Sequence, residues 1–317
     1  MRALHAVGRA ALIAVPVLLI STFITFGLGA LSDQNPAAAA MGETATQADI
    51  DRLNHEFGLD RPFLERYATW IGDAVTGDLG RSWFTHIPVA ESIGQRLPVS
   101  LSIAALALLL AVVLGAAAGI GAALNAGGWF DRAVTAVSAA LSTIPAFVAG
   151  IALIVVFSVL IPVFPAGGYV PPSQGVGPWL TYLMLPAVAL SLDSAADLAR
   201  QLRTGLVGTL RENYVTGAVV RGLGPRRVVF GHALRNGAGP AVAVLGLHVP
   251  RLIGGAVITE TVFAMPGLGQ LATTGALQGD VPVVQGTLLV AIALVLVSSV
   301  VVNVALARLR PGSGRTV

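Results

Sequence analysis

The sequence predicts an all-α integral membrane protein. Six transmembrane helices, both termini in the cytoplasm and a helical cytoplasmic segment between the fourth and fifth spans complete the expectation. Three observations carry it. The mean hydropathy is +0.80, and 55% of residues are hydrophobic against 11% charged, far more apolar than an ordinary soluble domain. Apolar runs recur at lengths of about 20 residues, enough to cross a hydrocarbon core roughly 30 Å thick. Arginine is then distributed very unevenly among the segments between those runs.

The runs lie at 10–31, 97–124, 133–162, 179–199, 237–259 and 284–307, within one transmembrane domain of 317 residues. They are rich in Ala, Val, Leu and Gly. Gly115 and Gly119 form a small-xxx-small pair that would permit close helix approach, but glycine is common here by composition, and the pair is read as compositional. The first run follows Arg2 and Arg9 and precedes the alanines Ala37–Ala40, as a secretory signal would. It is longer than the usual signal core and five spans follow, so it is read as a retained helix.

Orientation follows from arginine. The chain has no lysine and no cysteine. The segment after the fourth run holds Arg200, Arg203, Arg211, Arg221, Arg226, Arg227 and Arg235 against the single carboxylate Glu212. The segment after the first run is acid-rich, with Asp33, Glu43, Asp49, Asp51, Glu56, Asp60, Glu65, Asp73 and Asp78. The positive-inside rule places 200–236 in the cytoplasm and 32–96 outside. Arg308, Arg310 and Arg315 agree with a cytoplasmic C-terminus. The net charge of +3 needs no nucleic-acid partner.

Missing residue types exclude chemistry. Without cysteine there is no disulfide, thiol nucleophile or thiolate metal site. Without lysine there is no P-loop and no Schiff base, so the chain is not expected to hydrolyse ATP by the P-loop route. His5, His55, His86, His232 and His248 are scattered, and no metal site is expected. His248, inside an apolar run, is read as hydrogen-bonded to a neighbouring helix rather than as a pathway residue.

The external segment 32–96 is organised. Thr46 can cap a helix with Asp49 in its first turn, and Gly58 can stop it. Pro62 can open a second helix carrying Phe63, Tyr67, Trp70 and Ile71 at helical spacing, a packing stripe or interfacial anchor. Gly77-Asp78-Leu79-Gly80 reads as a turn. The segment 163–178 is Pro/Gly-rich and reads as irregular.

The segment 200–236 reads as a helical hairpin. Residues 198–210 prolong the fourth span, and a short helix runs from Glu212 to Arg221. Gly222 can stop it in the left-handed conformation that glycine adopts cheaply. Leu223 then contacts either a partner or the preceding turn. Pro225 opens another helix with Arg226 and Arg227 in its first turn, unfavourably placed against the helix dipole. A protein partner and anionic lipid headgroups account for that placement equally well.

Nearly the whole chain resembles the inner-membrane permease subunits of ABC importers for dipeptides, oligopeptides and nickel or its chelates. It is similar to the first of the two permeases such systems pair. The resemblance rests on Gly58-Leu59-Asp60-Arg61-Pro62, Gly77-Asp78-Leu79-Gly80 and Arg96-Leu97-Pro98. It also rests on Tyr214-Val215, Arg221-Gly222-Leu223, Arg226-Arg227-Val228 and His232-Ala233-Leu234-Arg235-Asn236. In the last external segment it rests on Glu260-Thr261-Val262-Phe263, Pro266-Gly267-Leu268-Gly269 and Pro282-Val283-Val284-Gln285-Gly286.

The resemblance implies a subunit that forms half of a translocation path for peptides or similar small solutes. Its partners would be a second homologous permease, two ATP-binding subunits or one fused ATPase, and an extracytoplasmic substrate-binding protein. ATP and Mg would be bound by the ATPase partners, with no cofactor in this chain. It further implies a coupling helix whose ATPase contacts include Glu212, Tyr214, Ala218, Arg221, Gly222, Leu223, Arg226 and Arg227. Departures include Ser32-Asp33-Gln34-Asn35-Pro36 for the usual Gly-Asp-Pro, Arg221 for a usual Lys, Gly217 for a better helix former, and Arg308-Leu309-Arg310-Pro311 for an Asp-Pro-Arg ending.

The segment 260–283 is long for a connection between helices. Glu260, Phe263, Pro266, Gly267, Gly269 and Asp280 are its candidates for contact with a binding protein. Re-entrant packing against the sixth span accounts for it nearly as well, and the two can coexist. An intramembrane enzyme is the alternative of another class. Its candidates are Asp193, Asp197, His248 and Asn303, with Arg200 placed to pair with Asp197 and no nucleophile–base arrangement evident. Import of nickel or a metal chelate by the same fold is the other alternative.

Overall fold

The apolar runs become long helices, and polar or proline-bearing breaks decide where each one stops. The computed structural model describes residues 2–31, 35–42 and 45–309, with side chains from 14 to 302 within those ranges. Ser32, Asp33, Gln34, Glu43, Arg310 and Arg315 therefore lie outside the described residues, as do the side chains of Arg2, His5, Arg9, Asn303 and Arg308. In chain order the helices are α1 (Arg2–Ala30), α2 (Pro36–Met41), α3 (Gln47–Glu56), α4 (Phe63–Thr76), α5 (Val89–Leu124), α6 (Trp129–Leu141) and α7 (Ala146–Ile154). They continue as α8 (Val176–Leu210), α9 (Asn213–Val220), α10 (Pro225–Val228), α11 (Leu234–Gly237), α12 (Gly239–Val262), α13 (Leu268–Gln278) and α14 (Val281–Leu309). Single π-helical segments follow α7 (Val155–Leu160) and α10 (Val229–Ala233). No β-strand occurs among the described residues beyond an isolated bridge between Arg81 and Pro88.

Four helices, α5, α8, α12 and α14, are long and apolar enough to cross a membrane. Ala14–Ala30 of α1 is a shorter apolar helix, and α6 with Ala146–Leu160 makes a broken pair bent by 104°. The run expected as a span at 133–162 is thus interrupted at 142–145. Pro145 has no amide hydrogen and drives Ile144 out of the helical region. The Ser142 and Thr143 hydroxyls donate back to Ser138 O and Ala140 O instead. The fourth span continues as expected, because α8 runs unbroken through 200–210.

Contacts divide the chain into two compact units, Met1–Ser100 with Met265–Leu296, and Leu101–Ala264 with Val297–Val317. In the first unit the cap at Thr46 forms as the sequence implies, with Asp49 N donating to its hydroxyl at 3.3 Å. Helix α4 continues past Gly72 to Thr76 and ends at Gly77, in the left-handed region. Its aromatic stripe packs against α1. The Phe63 and Tyr67 rings meet Phe23 and Phe26 edge-on at 5.2–5.6 Å, and Tyr67 donates to Leu19 O at 2.9 Å. Val89, Ile93, Leu268, Leu271 and Val283 form the apolar core of this unit.

In the second unit α8 is the central strut, packed against α12, α6 and α7. Leu198, Leu202 and Leu206 of α8 join Ala123, Ala233 and Ala241 in its core. The Gly115/Gly119 pair is not merely compositional. A Cβ on Gly115 would lie 2.8 Å from Ala195 O, and one on Gly119 would lie 2.7 Å from Ala199 O. The two glycines let the α5 and α8 backbones touch, the use expected of such pairs in membranes. Arg203 of α8 clamps Asp131 of α6 with two hydrogen bonds of 2.8 and 2.7 Å, a bidentate geometry that fixes both partners.

Candidate functional site

The hairpin after α8 builds a small platform. Val215 and Ala218 of α9 are buried with Val228, and Leu210 and Leu223 pack against them. Gly222 has φ +76°. Leu223 N donates to Ala218 O at 3.2 Å and Gly222 N to Val219 O at 2.9 Å, the paired bonds of a glycine-terminated helix end. Nothing lies within 4 Å of a Cβ placed on Gly222, so its backbone angle alone selects glycine. Asn236 donates to the Tyr214 hydroxyl at 2.9 Å and ties α9 to α11. At the base of the hairpin Gly205 meets Gly237 so closely that a Cβ on Gly205 would overlap the Gly237 carbonyl.

The platform's other face is uncovered. Tyr214, Val219, Val220 and Phe230 are 42%, 57%, 82% and 59% exposed. Glu212, Arg221, Arg226 and Arg227 are exposed around them. Two residues expected at a partner contact turn inward instead. Ala218 is fully buried, and Leu223 packs on the preceding turn. They hold the helix in place. A short helix can present one face only if its other face is anchored.

A second polar constellation joins α8 to α12. His248 is buried, accepting or donating through Nδ1 with Ser194 Oγ at 3.1 Å and through Nε2 with Asp197 at 2.9 Å. This is the interhelical hydrogen bonding expected of His248. Arg200 pairs with Asp197, also as expected. Asp193 lies 3.9 Å from His248 Nδ1. Asp193, Asp197 and His248 place one ligand atom each within 4.8 Å of one another, a grouping the scattered histidines did not suggest. Both ring nitrogens are engaged and Asp197 is already balanced by Arg200, so a cation would have to displace existing bonds.

A serine, histidine and aspartate in series was likewise not evident from sequence. Ser194 is 3% exposed and sits inside α8, where the backbone amides that an oxyanion would need are occupied in the helix ladder. The arrangement serves as a clasp between helices.

In the segment 260–283 both carboxylates are buried. Glu260 is fully buried in the last turn of α12, and Phe263 is 1% exposed. The Phe263 ring would meet a Cβ on Gly150 at 3.0 Å, and its carbonyl accepts from Gly168 N at 2.9 Å. Gly267 and Gly269 are buried and Pro266 is half-buried. Asp280 is 2% exposed; it accepts from Ser82 Oγ at 2.5 Å and Trp83 N at 3.3 Å. Burial pushes its carboxyl above the usual range, against the opposing pull of the Ser82 hydroxyl. The side chains of Glu260, Phe263 and Asp280 thus lie inside this chain, the placement expected from the packing reading of the segment. Outward the segment presents Leu277, 77% exposed, with Thr261, Ala264, Thr274, Ala276 and Gln278.

Sequence reasoning passed over Arg251. It lies in the middle of α12, is exposed, and lines a cavity of about 350 Å³ with Asp193, Ser194, His248 and the break at 142–146. Its signal was legible, since a lone arginine inside an apolar run marks a functional position by default.

These features have counterparts among known proteins. Residues 111–314 match the family model described as binding-protein-dependent transport system inner membrane component, and residues 4–104 match the N-terminal model of the same transport systems. A probable peptide ABC transporter permease protein of Sinorhizobium fredii is 34% identical over 94% of this chain and 95% of its own. A di/tripeptide transport system permease protein of Pseudomonas aeruginosa is 36% identical over 90% and 92%. A glutathione transport system permease protein of Escherichia coli is 33% identical over 94% of each. Among solved structures, an inward-facing MetNI methionine ABC transporter matches with a TM-score of 0.56 at 16% identity, over 69% of this chain and 96% of that one. That likeness speaks to the fold. The chain belongs to the family of binding-protein-dependent transport system inner membrane components, as a multi-pass permease of an ABC importer.

Proposed function

We propose that this permease forms half of the translocation path for peptides or similarly small solutes and is itself non-catalytic. ATP and Mg bind to partner ATPase subunits, either two chains or one fused chain. A second homologous permease supplies the other half of the path, and an extracytoplasmic binding protein delivers the solute. The 200–236 segment and both termini face the cytoplasm, with the region 32–96 outside.

The observation that supports this most is the α9 platform. One face is anchored by Val215 and Ala218, and the other presents Tyr214, Val219 and Val220 to whatever docks there. Exposed apolar side chains ringed by arginines suit a protein cleft with an acidic rim. A transporter works through such a platform when ATP-driven motion of the partner moves α9, and α8 carries the motion into the bilayer as one continuous rod. The relatives' names point to peptides as cargo.

Proteoliposomes holding the intact complex, supplied with the binding protein, should accumulate labelled dipeptide only when ATP is present on the ATPase side. Val220→Asp should abolish both uptake and co-purification of the ATPase. Uptake that survives this change would remove the docking role from α9.

A further inference from the structure

The clasp between α8 and α12 borders a cavity with two charges left over. Asp197 is matched by Arg200, and His248 spends both ring nitrogens on Ser194 and Asp197. Asp193 remains, with a side chain 48% exposed, His248 Nδ1 at 3.9 Å and the Asp197 carboxylate within 4.8 Å, and no arginine paired to it among the described residues. Arg251 faces the same cavity, and no ion pair to it occurs among the described residues. Both sit on helices that cross the membrane, Arg251 near the centre of α12 (Gly239–Val262). A charge at that depth is costly to leave without a partner, so an unmatched one calls for a use.

The rest of the wall is largely apolar with a few polar groups, as small-molecule sites usually are. The cavity, of about 350 Å³, falls in the range of small-molecule sites, roughly 300–1,000 Å³. One side is the break between α6 and α7, an irregular stretch of backbone of the kind that membrane proteins tolerate where it lines a cavity. Ala146 opens α7 there without a side-chain cap, so the first amides of that helix add positive potential.

We propose that Asp193 and Arg251 form a subsite on the translocation path for the two charged ends of a zwitterionic solute. The ammonium lies against Asp193 and the carboxylate against Arg251. An anion would meet Asp193, a cation would meet Arg251, and an apolar solute would leave both desolvated without a partner. Only a solute bearing both charges satisfies the pair. The inference rests on the importer reading above and names its substrate class: small molecules with a free ammonium and a free carboxylate, as short peptides have.

The test uses the intact transporter purified through this chain and washed free of binding protein. Binding of alanyl-alanine, its C-terminal amide and its N-acetyl form is followed by saturation-transfer NMR at millimolar concentration. The free dipeptide should give signal, and each blocked form should bind roughly tenfold more weakly, as expected when one charge-assisted contact is lost. Arg251→Gln should weaken the free dipeptide by a similar factor and leave the amide unchanged. Asp193→Asn should do the same with respect to the N-acetyl form, and Arg251→Lys should keep most of the binding.

Equal signal from all three ligands would overturn the subsite, as would no signal from the unaltered transporter. An Arg251→Gln variant that binds normally but loses a subunit would also overturn it, assigning Arg251 to subunit assembly. Dipeptide uptake by the unaltered transporter, measured in parallel, separates the two claims. Uptake without a subsite signal sinks only the subsite, whereas absence of uptake sinks the peptide reading too.

Discussion

Two segments that join long helices make opposite use of similar residues. The α9–α11 hairpin keeps its small and branched side chains inside and presents tyrosine, valine, phenylalanine and arginine outward. The 260–280 segment turns glutamate, phenylalanine and aspartate inward and leaves threonine, alanine, glutamine and Leu277 at the surface. A segment poised for a partner leaves apolar area uncovered, because the partner completes its core. A segment that packs into its own chain spends its charged groups on internal hydrogen bonds, because a buried carboxylate without them is costly.

The contrast predicts graded outcomes. Ser82→Ala removes the hydroxyl that bonds the buried Asp280 carboxylate. Leaving that acceptor short of a donor should destabilise the protein by about 1–3 kcal/mol, read as a lowered melting temperature in detergent. An unchanged melting temperature would mean that the bracing role of the segment is wrong. Gly222→Val forces a β-branched residue to φ +76°, at a cost of roughly 1 kcal/mol or more. Its main effect should be on coupling: basal ATP hydrolysis persists in the assembled complex while uptake per ATP falls several-fold.

A pH titration sharpens the comparison further. Folding raises the Asp280 carboxyl above its ordinary value of 3.8, so the folded state holds this proton more tightly than the unfolded chain. Its contribution to stability is therefore greatest at low pH and is lost as pH rises from 3.8 through the raised value. Asp280→Asn should remove that component, so that wild type minus variant stability declines over this window and is flat above it. A difference that instead grew with pH would reverse the assignment. The smallest change in stability belongs to Val220→Asp, within about 0.5 kcal/mol because the site is open to solvent. The same substitution should remove ATPase binding, and a large drop in melting temperature would show that Val220 is part of the core.

Several elements were legible in the sequence because their causes are local. Gly222 announces a left-handed turn by being the residue type that turn needs, and Thr46 caps α3 through a bond to a residue three positions on. Pro145 carried the signal for the break in the third span, but the apolar composition on both sides hid it. Asp280 and Glu260 misled because a carboxylate near a connecting segment reads as exposed, and only a distant donor such as Ser82 permits its burial. Gly115 and Gly119 misled because glycine is frequent in this composition, and their purpose depends on where Ala195 and Ala199 arrive.

The sequence by itself determined that the chain enters a membrane, where arginine accumulates, and where locally capped helices such as α3 and α9 start or stop. Those outcomes depend on hydration of side chains and on backbone angles a few residues apart. The tertiary structure alone decided that α5 and α8 touch through glycine, that His248 clasps Asp197, and that Asp193 and Arg251 share one cavity. Each joins residues many turns apart in the chain, and their pairing is settled by which helix faces pack together rather than by any local preference.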